Sequence, residues 1–276
     1  MRERWTIRRT TTVAILLVLS AIYLLPLYWM VTGSLQPLTN TLRVPPDWFP
    51  PAPTLDNYQR LFSGTLVPRW FFNSVVVAVL SVLGAVATSS MAGYALGARK
   101  FPGSQVLFYV VVISMALPSA VTLVPLFLIM RDLGWINTYQ GMFAPDIAYP
   151  FGVFLMRQFM HTAPHELFDA AKVDGASEWG VFRKIVLPLT RPALGAIAIF
   201  AFFNSWTNYI WQVVIINTEE LQTLPVGVGM LASGYQSFGL GLAMAGATVA
   251  FAPMLLIFLL FQRYFTKGIT SGALKG

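Results

Sequence analysis

Three amide side chains recur at every fourth position of a long apolar segment in the last third of the chain. They are Asn204, Asn208 and Gln212, and Tyr209 and Trp211 lie among them. Amides hydrogen-bond to hydroxyl groups, and aromatic rings pack against the apolar faces of sugar rings. Because uncompensated amides are costly in lipid, this helix face is expected to point inward and to line a sugar pathway. Hydrogen bonding between helices, with aromatic residues at the membrane interface, is the alternative interpretation.

Asp146 is the one acidic residue that falls within an apolar segment, between Pro145 and Pro150. An ionisable residue at membrane depth is a functional candidate, so Asp146 joins the predicted substrate pathway. A buried partner or plain solvation near the outer surface are the alternatives. His161 and His165 are four residues apart, but two ligands without a third make a poor metal site, and no metal is expected.

Six apolar segments must position these residues. Hydrophobic residues make up 56% of the 276 residues and charged residues only 11%, well below the quarter that is usual in soluble domains. A helix needs roughly 20 residues to span a bilayer. The six predicted spans are Val13–Gly33, Trp70–Gly97, Gln105–Met130, Gly141–Met160, Pro192–Ile216 and Gly239–Gln262. The sequence therefore predicts an all-α membrane protein with six transmembrane helices and a single transmembrane domain over residues 1–276.

The basic residues predict how these spans are oriented. Fourteen of the 18 Lys and Arg residues fall at the termini, in the loops between spans two and three and between spans four and five, or, for Arg157, at the end of span four beside that loop. The positive-inside rule places those segments, and both termini, in the cytoplasm. Two loops then lie outside: the loop at about 34–69, which is rich in proline, and the loop at about 217–238. The net charge of +7 is explained by this topology, and no nucleic acid is expected as a partner.

Small residues recur at every fourth position of the second span. They are Ser81, Ala85, Ser89, Gly93 and Gly97. This spacing lets helix backbones approach closely, so we interpret the set as a packing surface. Cysteine is absent, which leaves no disulfides and no thiolate metal sites.

A polar segment separates spans four and five, at about 161–191, and its residues predict two short helices. Glu166 suits the start of the first helix, and Gly175 is placed to end it. Ser177 can cap the second helix. In that helix an apolar set recurs at helical spacing and is expected to lie against the membrane bundle: Trp179, Phe182, Val186 and Leu189.

The same segment resembles the "EAA" cytoplasmic loop of membrane subunits of ATP-binding cassette (ABC) importers. That pattern is Glu-Ala-Ala, three residues, Gly, nine residues, Ile, one residue and Leu-Pro. Here it reads Asp169-Ala170-Ala171, Gly175, Ile185 and Leu187-Pro188, with Asp for Glu as its departure. Three further segments resemble the sugar-importer branch that contains the smaller membrane subunit of the maltose transporter: Ile136–Gly141, Leu221–Gly229 and Phe265–Ala273.

The resemblance implies a bundle like that of type I ABC importer permeases, in a bacterial or archaeal cell membrane. It implies a second permease subunit, two copies of a cassette ATPase and an external sugar-binding protein contacted by the loop at about 217–238. The cargo implied is a sugar, a di- or oligosaccharide. The residues expected to couple to the ATPase are Asp169, Ala170, Ala171, Asp174, Gly175, Ile185, Leu187 and Pro188.

The chain has no Gly-x-x-x-x-Gly-Lys-Ser/Thr motif, so it cannot itself be a P-loop ATPase. ATP and Mg²⁺ are expected in the partner, and no cofactor or enzymatic activity is expected in this chain. Glycerol phosphate, or another polar solute, is an alternative cargo, although no Lys or Arg lies in the middle of a span to bind a phosphate. A self-sufficient secondary transporter and a membrane-embedded enzyme are less favoured, because neither repeats nor clustered catalytic groups are evident.

Overall fold

The chain folds into α-helices joined by short turns. The computed structural model describes residues 2–37, 47–99, 101–164, 166–234 and 239–273, and no strand occurs within these ranges. The prediction of an all-α protein is confirmed for them. In chain order the helices are α1 (Arg2–Ser34), α2 (Asp56–Gly64), α3 (Val67–Ala98), α4 (Ser104–Met115), α5 (Ser119–Asp132), α6 (Tyr139–Ile147), α7 (Pro150–Thr162), α8 (Glu166–Val173), α9 (Glu178–Leu189), α10 (Arg191–Trp206), α11 (Tyr209–Ile215), α12 (Leu224–Ser233) and α13 (Leu240–Ala273).

Within the described ranges, three helical segments are long and apolar enough to cross a membrane. They are Arg9–Ser34, Val67–Ala98 and Leu240–Gln262. They correspond to the first, second and sixth predicted spans. Their sequences contain long apolar runs that proline interrupts only at Pro26, Pro68 and Pro253.

The other predicted spans are broken in the structure. α4 and α5, which cover the third predicted span, form a pair bent by 106°. α9 and α10 form a second pair, bent by 78°, but only α10 belongs to the fifth predicted span, since α9 precedes it. Among the described residues the count of apolar spans is therefore three, or up to five if each bent pair is one span. The first bend lies at Pro118, whose extended backbone and missing N–H end one helix before the next begins. The fourth predicted span is divided at Ala148 and Tyr149, and Pro150 opens α7.

Contacts between residues divide the chain into two compact units. The first comprises Met1–Pro68 and Gly227–Ala252. Its centre includes Asn57, whose buried side-chain amide donates hydrogen bonds to the backbone oxygens of Ser34 (2.9 Å) and Gln36 (2.8 Å). These bonds attach α2 to the end of α1.

The second unit comprises Arg69–Val226 and Pro253–Gly276. Within it, α3 and α7 pack backbone to backbone. A Cβ atom at Gly93 would lie 2.4 Å from Cβ of Met156, and one at Gly97 would lie 2.7 Å from Cβ of Met160. Only glycine permits this approach, which supports the interpretation of the small residues as a packing surface.

Candidate functional site

A cleft of about 540 Å³ opens within the second unit, between α5, α6 and the junction of α10 with α11. Its lining is a mixture of polar side chains, aromatic rings and short apolar side chains. The lining residues are Ser119, Ala120, Thr122, Leu123, Leu126, Pro145, Asp146, Asn204, Thr207, Asn208, Tyr209, Ile210 and Trp211. Five of the six residues predicted for the substrate pathway therefore line one cleft: Asp146, Asn204, Asn208, Tyr209 and Trp211.

A break in the predicted fifth span shapes this cleft. α10 ends at Trp206 and α11 begins at Tyr209, and Asn208 between them has left the helical backbone (φ −72°, ψ 85°). The hydroxyl of Thr207 donates to the backbone oxygen of Phe203 at 2.7 Å, which is the local side-chain-to-backbone bond that ends or bends helices. The amides predicted to lie on one continuous helix face are therefore carried by two elements.

A network of polar groups holds the carboxylate of Asp146. Its Oδ2 accepts a hydrogen bond from the hydroxyl of Ser81 on α3 at 2.8 Å, and its Oδ1 accepts one from Nδ2 of Asn204 at 3.4 Å. The hydroxyl of Ser205 lies 3.1 Å from that of Ser81. Side chains of two neighbouring helices, α3 and α10, thus fix the orientation of this side chain of α6 at the cleft.

Gln212 lies outside the cleft lining and is fully buried. Its Nε2 donates to the backbone oxygen of Met142 at 3.3 Å, while its Oε1 is buried without a hydrogen-bond partner in the described part of the chain. Trp211 lines the cleft, and its Nε1 donates to the backbone oxygen of Gly141 at 3.0 Å. The bonds from Gln212 and Trp211 attach α11 to α6, which is the interhelical role that the sequence left open.

The segment that resembles the EAA loop, Asp169–Pro188, contains the predicted pair of short helices. α8 ends before Gly175, which has a positive φ of 74°. The N–H of Ala176 bonds to the oxygen of Ala171 at 2.9 Å, so the turn is a Schellman motif with glycine at its left-handed position. Ser177 caps α9 by accepting a hydrogen bond from the N–H of Gly180 at 3.2 Å. The predicted positions of the helix end and the helix cap are confirmed.

An apolar anchor attaches this segment to the rest of the unit. Phe168, Val181, Phe182 and Val186 are buried in a cluster with side chains from α3 and α7. Ile185 and Leu187 are partly buried against the same cluster, whereas Pro188 is exposed. α9 includes a π-helical turn over Phe182–Val186.

Two details of the segment differ from expectation. Trp179 is 63% exposed and stacks on the ring of Phe182, so it lies at the edge of the anchor and not within it. Ala171 is 7% exposed and belongs to the buried cluster, while Ala170 and Asp174 are exposed. The backbone of Asp169 lies in α8, but its side chain is outside the described part of the chain, as is His165.

A polar cluster beside the anchor, the Arg99 cluster, joins the end of α3 to α9. The guanidinium of Arg99 donates to Oε2 of Glu178 and to the hydroxyl of Tyr94, and it lies 5.2 Å from the centroid of the Tyr94 ring. Glu178 is 66% exposed, and exposed ion pairs contribute about 0–1 kcal/mol. Burying one Phe or Val side chain contributes about 1.5–3 kcal/mol. The apolar anchor therefore contributes most of the free energy that holds α9 in place, and the hydrogen bonds of the Arg99 cluster help to orient it.

The first half of the loop after α11 is attached to the start of α3. Nδ2 of Asn73 donates to the backbone oxygens of Glu220 and Gln222, each at 2.8 Å. Nε1 of Trp70 donates to the oxygen of Glu219 at 2.7 Å. The side chains of Glu219 and Glu220 remain exposed.

Sequence reasoning missed the hydrogen-bonding roles of Ser81, Ser205 and Asn73. The sequence analysis interprets Ser81 as a packing residue because serine is small. Its side chain is indeed buried in the structure, but its hydroxyl also donates a hydrogen bond to Asp146. A hydroxyl at the same helical level as an acidic residue on a neighbouring span is the signal that could have identified it. For Asn73, an amide at the outer end of a span was such a signal.

Comparison with known proteins identifies the family of this chain. Residues 89–271 match the family described as binding-protein-dependent transport system inner membrane component. The arabinooligosaccharides transport system permease protein of Bacillus subtilis is 36% identical over 276 residues, which cover 99% of this chain and 98% of that protein. The trehalose/maltose transport system permease protein of Thermococcus litoralis is 30% identical over 281 residues and 100% of both chains.

The fold is also shared with a solved structure. A bacterial ABC transporter involved in the import of the acidic polysaccharide alginate superposes with a TM-score of 0.82, at 21% identity, over 94% of this chain and 97% of that chain. The resemblance that the sequence suggested is confirmed by the family match. The chain is thus a permease of an ABC importer and not an enzyme, and it belongs to the family of binding-protein-dependent transport system inner membrane components.

Proposed function

We propose that this permease forms half of the translocation pathway of an ATP-driven importer for neutral di- or oligosaccharides. The observation that carries the proposal is the cleft, which combines amides (Asn204, Asn208), an acid (Asp146) and rings (Tyr209, Trp211). Amides and carboxylates bind sugar hydroxyls, and rings cover the apolar faces of the sugar. Two relatives are named as transporters of arabinooligosaccharides and of trehalose or maltose, and this supports a sugar as cargo.

The proposed assembly contains this chain, a second homologous permease, two copies of a cassette ATPase and an external sugar-binding protein. In it the chain crosses a bacterial or archaeal cell membrane six times, with both termini and Asp169–Pro188 in the cytoplasm. The distribution of basic residues supports this topology. The chain holds no cofactor, and ATP with Mg²⁺ binds in the ATPase.

We expect ATP hydrolysis to be coupled to transport through α3, because this helix contacts both the cleft and the EAA-like segment. α3 carries Ser81, which holds Asp146 at the cleft, and Tyr94, which packs on the anchor of the EAA-like segment. Tyr94 lies thirteen positions after Ser81 in the α-helix, a rise of roughly 20 Å. Movement of the segment by the ATPase would therefore reach the cleft through α3, which packs closely on α7 at Gly93 and Gly97. The proposed ATPase contact comprises Asp169, Ala170, Asp174 and Gly175, with Ala171, Ile185, Leu187 and Pro188 supporting it.

Uptake by the assembled importer tests the proposal. Cells expressing all subunits should accumulate labelled neutral oligosaccharides, and Asn208→Leu should reduce uptake or change the order of preferred sugars, because Asn208 lines the cleft. Gln158→Leu is a matched control, since Gln158 is exposed on α7 and does not line the cleft. Wild-type uptake by Asn208→Leu across the whole sugar panel would contradict the assignment of the cleft as the pathway.

A further inference from the structure

The side chains that line the cleft carry a formal negative charge. Among its thirteen lining residues, Asp146 is the one with a formally charged side chain, and neither Lys nor Arg is present. The remaining polar groups are neutral hydroxyls and amides: Ser119, Thr122, Asn204, Thr207, Asn208 and Tyr209. A solute in the cleft therefore meets one negative group and no positive one from this chain.

The carboxylate is held by neutral donors. Ser81 and Asn204 hydrogen-bond to its two oxygens, and Ser205 supports Ser81. The ion pairs formed by the described residues join Arg99 to Glu178 and Arg131 to Asp132, so neither neutralises Asp146. Hydroxyl and amide donors orient a carboxylate without cancelling its charge.

A negative group acts more strongly on solutes in a cleft of the protein than in open water. The protein around the cleft has a lower dielectric constant than water, so the interaction between charges is stronger there. A second carboxylate or a phosphate would be repelled, while sugar hydroxyls can donate hydrogen bonds to the carboxylate oxygens.

We propose that Asp146 is a charge-selectivity residue, which favours neutral or cationic carbohydrates in the cleft and disfavours those that carry a carboxylate or phosphate. Ser81 and Asn204 are positioning residues that aim its oxygens. This inference rests on the proposed function, because it requires that solutes pass through the cleft. It adds the chemical class of solutes that the cleft excludes, namely carbohydrates with a carboxylate or phosphate group.

The absence of cysteine from the chain permits a test that does not depend on which cargo the binding protein delivers. A thiol is introduced as Asn208→Cys in the assembled importer, with cysteines removed from the other subunits. Its rates of modification by a cationic and an anionic methanethiosulfonate of similar size are measured, each relative to a free thiol in solution. The measurements are repeated with Asp146→Asn, which keeps the shape of the side chain and removes its charge.

With Asp146 present, the cationic reagent is expected to react faster, and Asp146→Asn should lower the cation-to-anion rate ratio by about tenfold. Two controls should leave the ratio unchanged. Asp56→Asn removes the same charge from an exposed residue that does not line the cleft, and Asn217→Cys places the thiol outside the cleft lining. Recovery of the assembled complex at the wild-type yield shows that Asp146→Asn folds.

The outcomes separate the two proposals. If both reagents modify Asn208→Cys and the ratio is the same with Asp146→Asn, the charge filter is overturned while the pathway stands. That result would mean that Asp146 is neutral or is paired with a cation of another subunit. If neither reagent reaches Asn208→Cys under any transport condition, the pathway assignment fails, and the charge filter fails with it.

Discussion

Asp146 and Gln212 show how two polar residues within apolar segments come to have different tasks. Both hydrogen-bond to neighbouring helices, but Asp146 lines the cleft, whereas Gln212 is fully buried beside Met142. Their residue types alone do not distinguish a solute contact from an interhelical bond, because both need a polar partner inside the protein. The distinction depends on what each side chain faces in the fold: Asp146 on α6 faces the cleft, and Gln212 on α11 faces the backbone of α6.

Replacing Gln212 is therefore expected to affect packing and not cargo choice. Gln212→Met keeps the length of the side chain, loses one hydrogen bond worth about 1 kcal/mol, and removes a buried oxygen that lacks a partner. The free energy of unfolding should change by less than about 1 kcal/mol, as measured by thermal denaturation of the purified complex. The order of sugar preference should match the wild type, and a changed order would return Gln212 to the pathway.

At the scale of the element, the helix ends in the Asp169–Pro188 segment were predictable and the breaks in the spans were only partly so. Gly175 and Ser177 have strong local preferences for a left-handed turn and a cap, and both act locally in the structure. Proline marked the bends near Pro118 and Pro150, yet membrane helices tolerate proline, so its presence does not decide where a helix stops. The break at Asn208 contains no proline and follows Thr207, whose hydroxyl bonds to the backbone oxygen of Phe203, a bond that serine and threonine also form inside unbroken helices.

The turn at Gly175 is expected to be required for coupling. Its φ of 74° costs a β-branched residue roughly 1–2 kcal/mol, so Gly175→Val should displace α8 relative to α9. Gly175→Asn is the matched control, because asparagine adopts this backbone conformation more readily and open space surrounds the position.

We expect Gly175→Val to lower uptake per ATP hydrolysed by the assembled importer in proteoliposomes, and Gly175→Asn to retain most of it. Equal coupling ratios for the two variants would show that the left-handed turn has no part in force transfer.

The contact of α3 with α7 is expected to be intolerant of larger side chains. A Cβ atom at Gly97 would lie 3.1 Å from the backbone oxygen of Arg157 as well as close to Met160, so Gly97→Leu must separate the helices. Overpacking of this kind costs typically about 1–3 kcal/mol. The midpoint of thermal unfolding should fall for Gly97→Leu and stay near the wild type for Gly64→Leu, where no atom lies within 4 Å of the added Cβ. A stable Gly97→Leu protein would argue against rigid packing of this pair.

The proposed topology places the EAA-like segment and the loop after α11 on opposite sides of the membrane. The hydropathy pattern supports it, and the distribution of basic residues gives its direction. The sequence alone could not show that α3 is attached near both ends, to the Glu219–Gln222 backbone and to α9. Those attachments join residues far apart in the chain.

Single thiols can check that topology, because the natural chain has no cysteine. Ala176→Cys should react with an impermeant maleimide only in inside-out vesicles, and Asn217→Cys only in intact cells or spheroplasts; both positions are exposed. Labelling of the two thiols from the same side of the membrane would overturn the six-span arrangement.

The attachment of the Glu219–Gln222 backbone to Asn73 and Trp70 has a consequence for the kinetics of docking. A partner that binds Glu219–Gln222 meets a backbone that is already held in place, so binding does not incur the entropic penalty of fixing that backbone, which is roughly 1–2 kcal/mol per residue. The rate of association is then limited by collision and orientation, because no folding step has to precede binding. Fast association, together with fast dissociation where the affinity is modest, would suit the external binding protein of the proposed assembly, which must dissociate after each delivery of cargo.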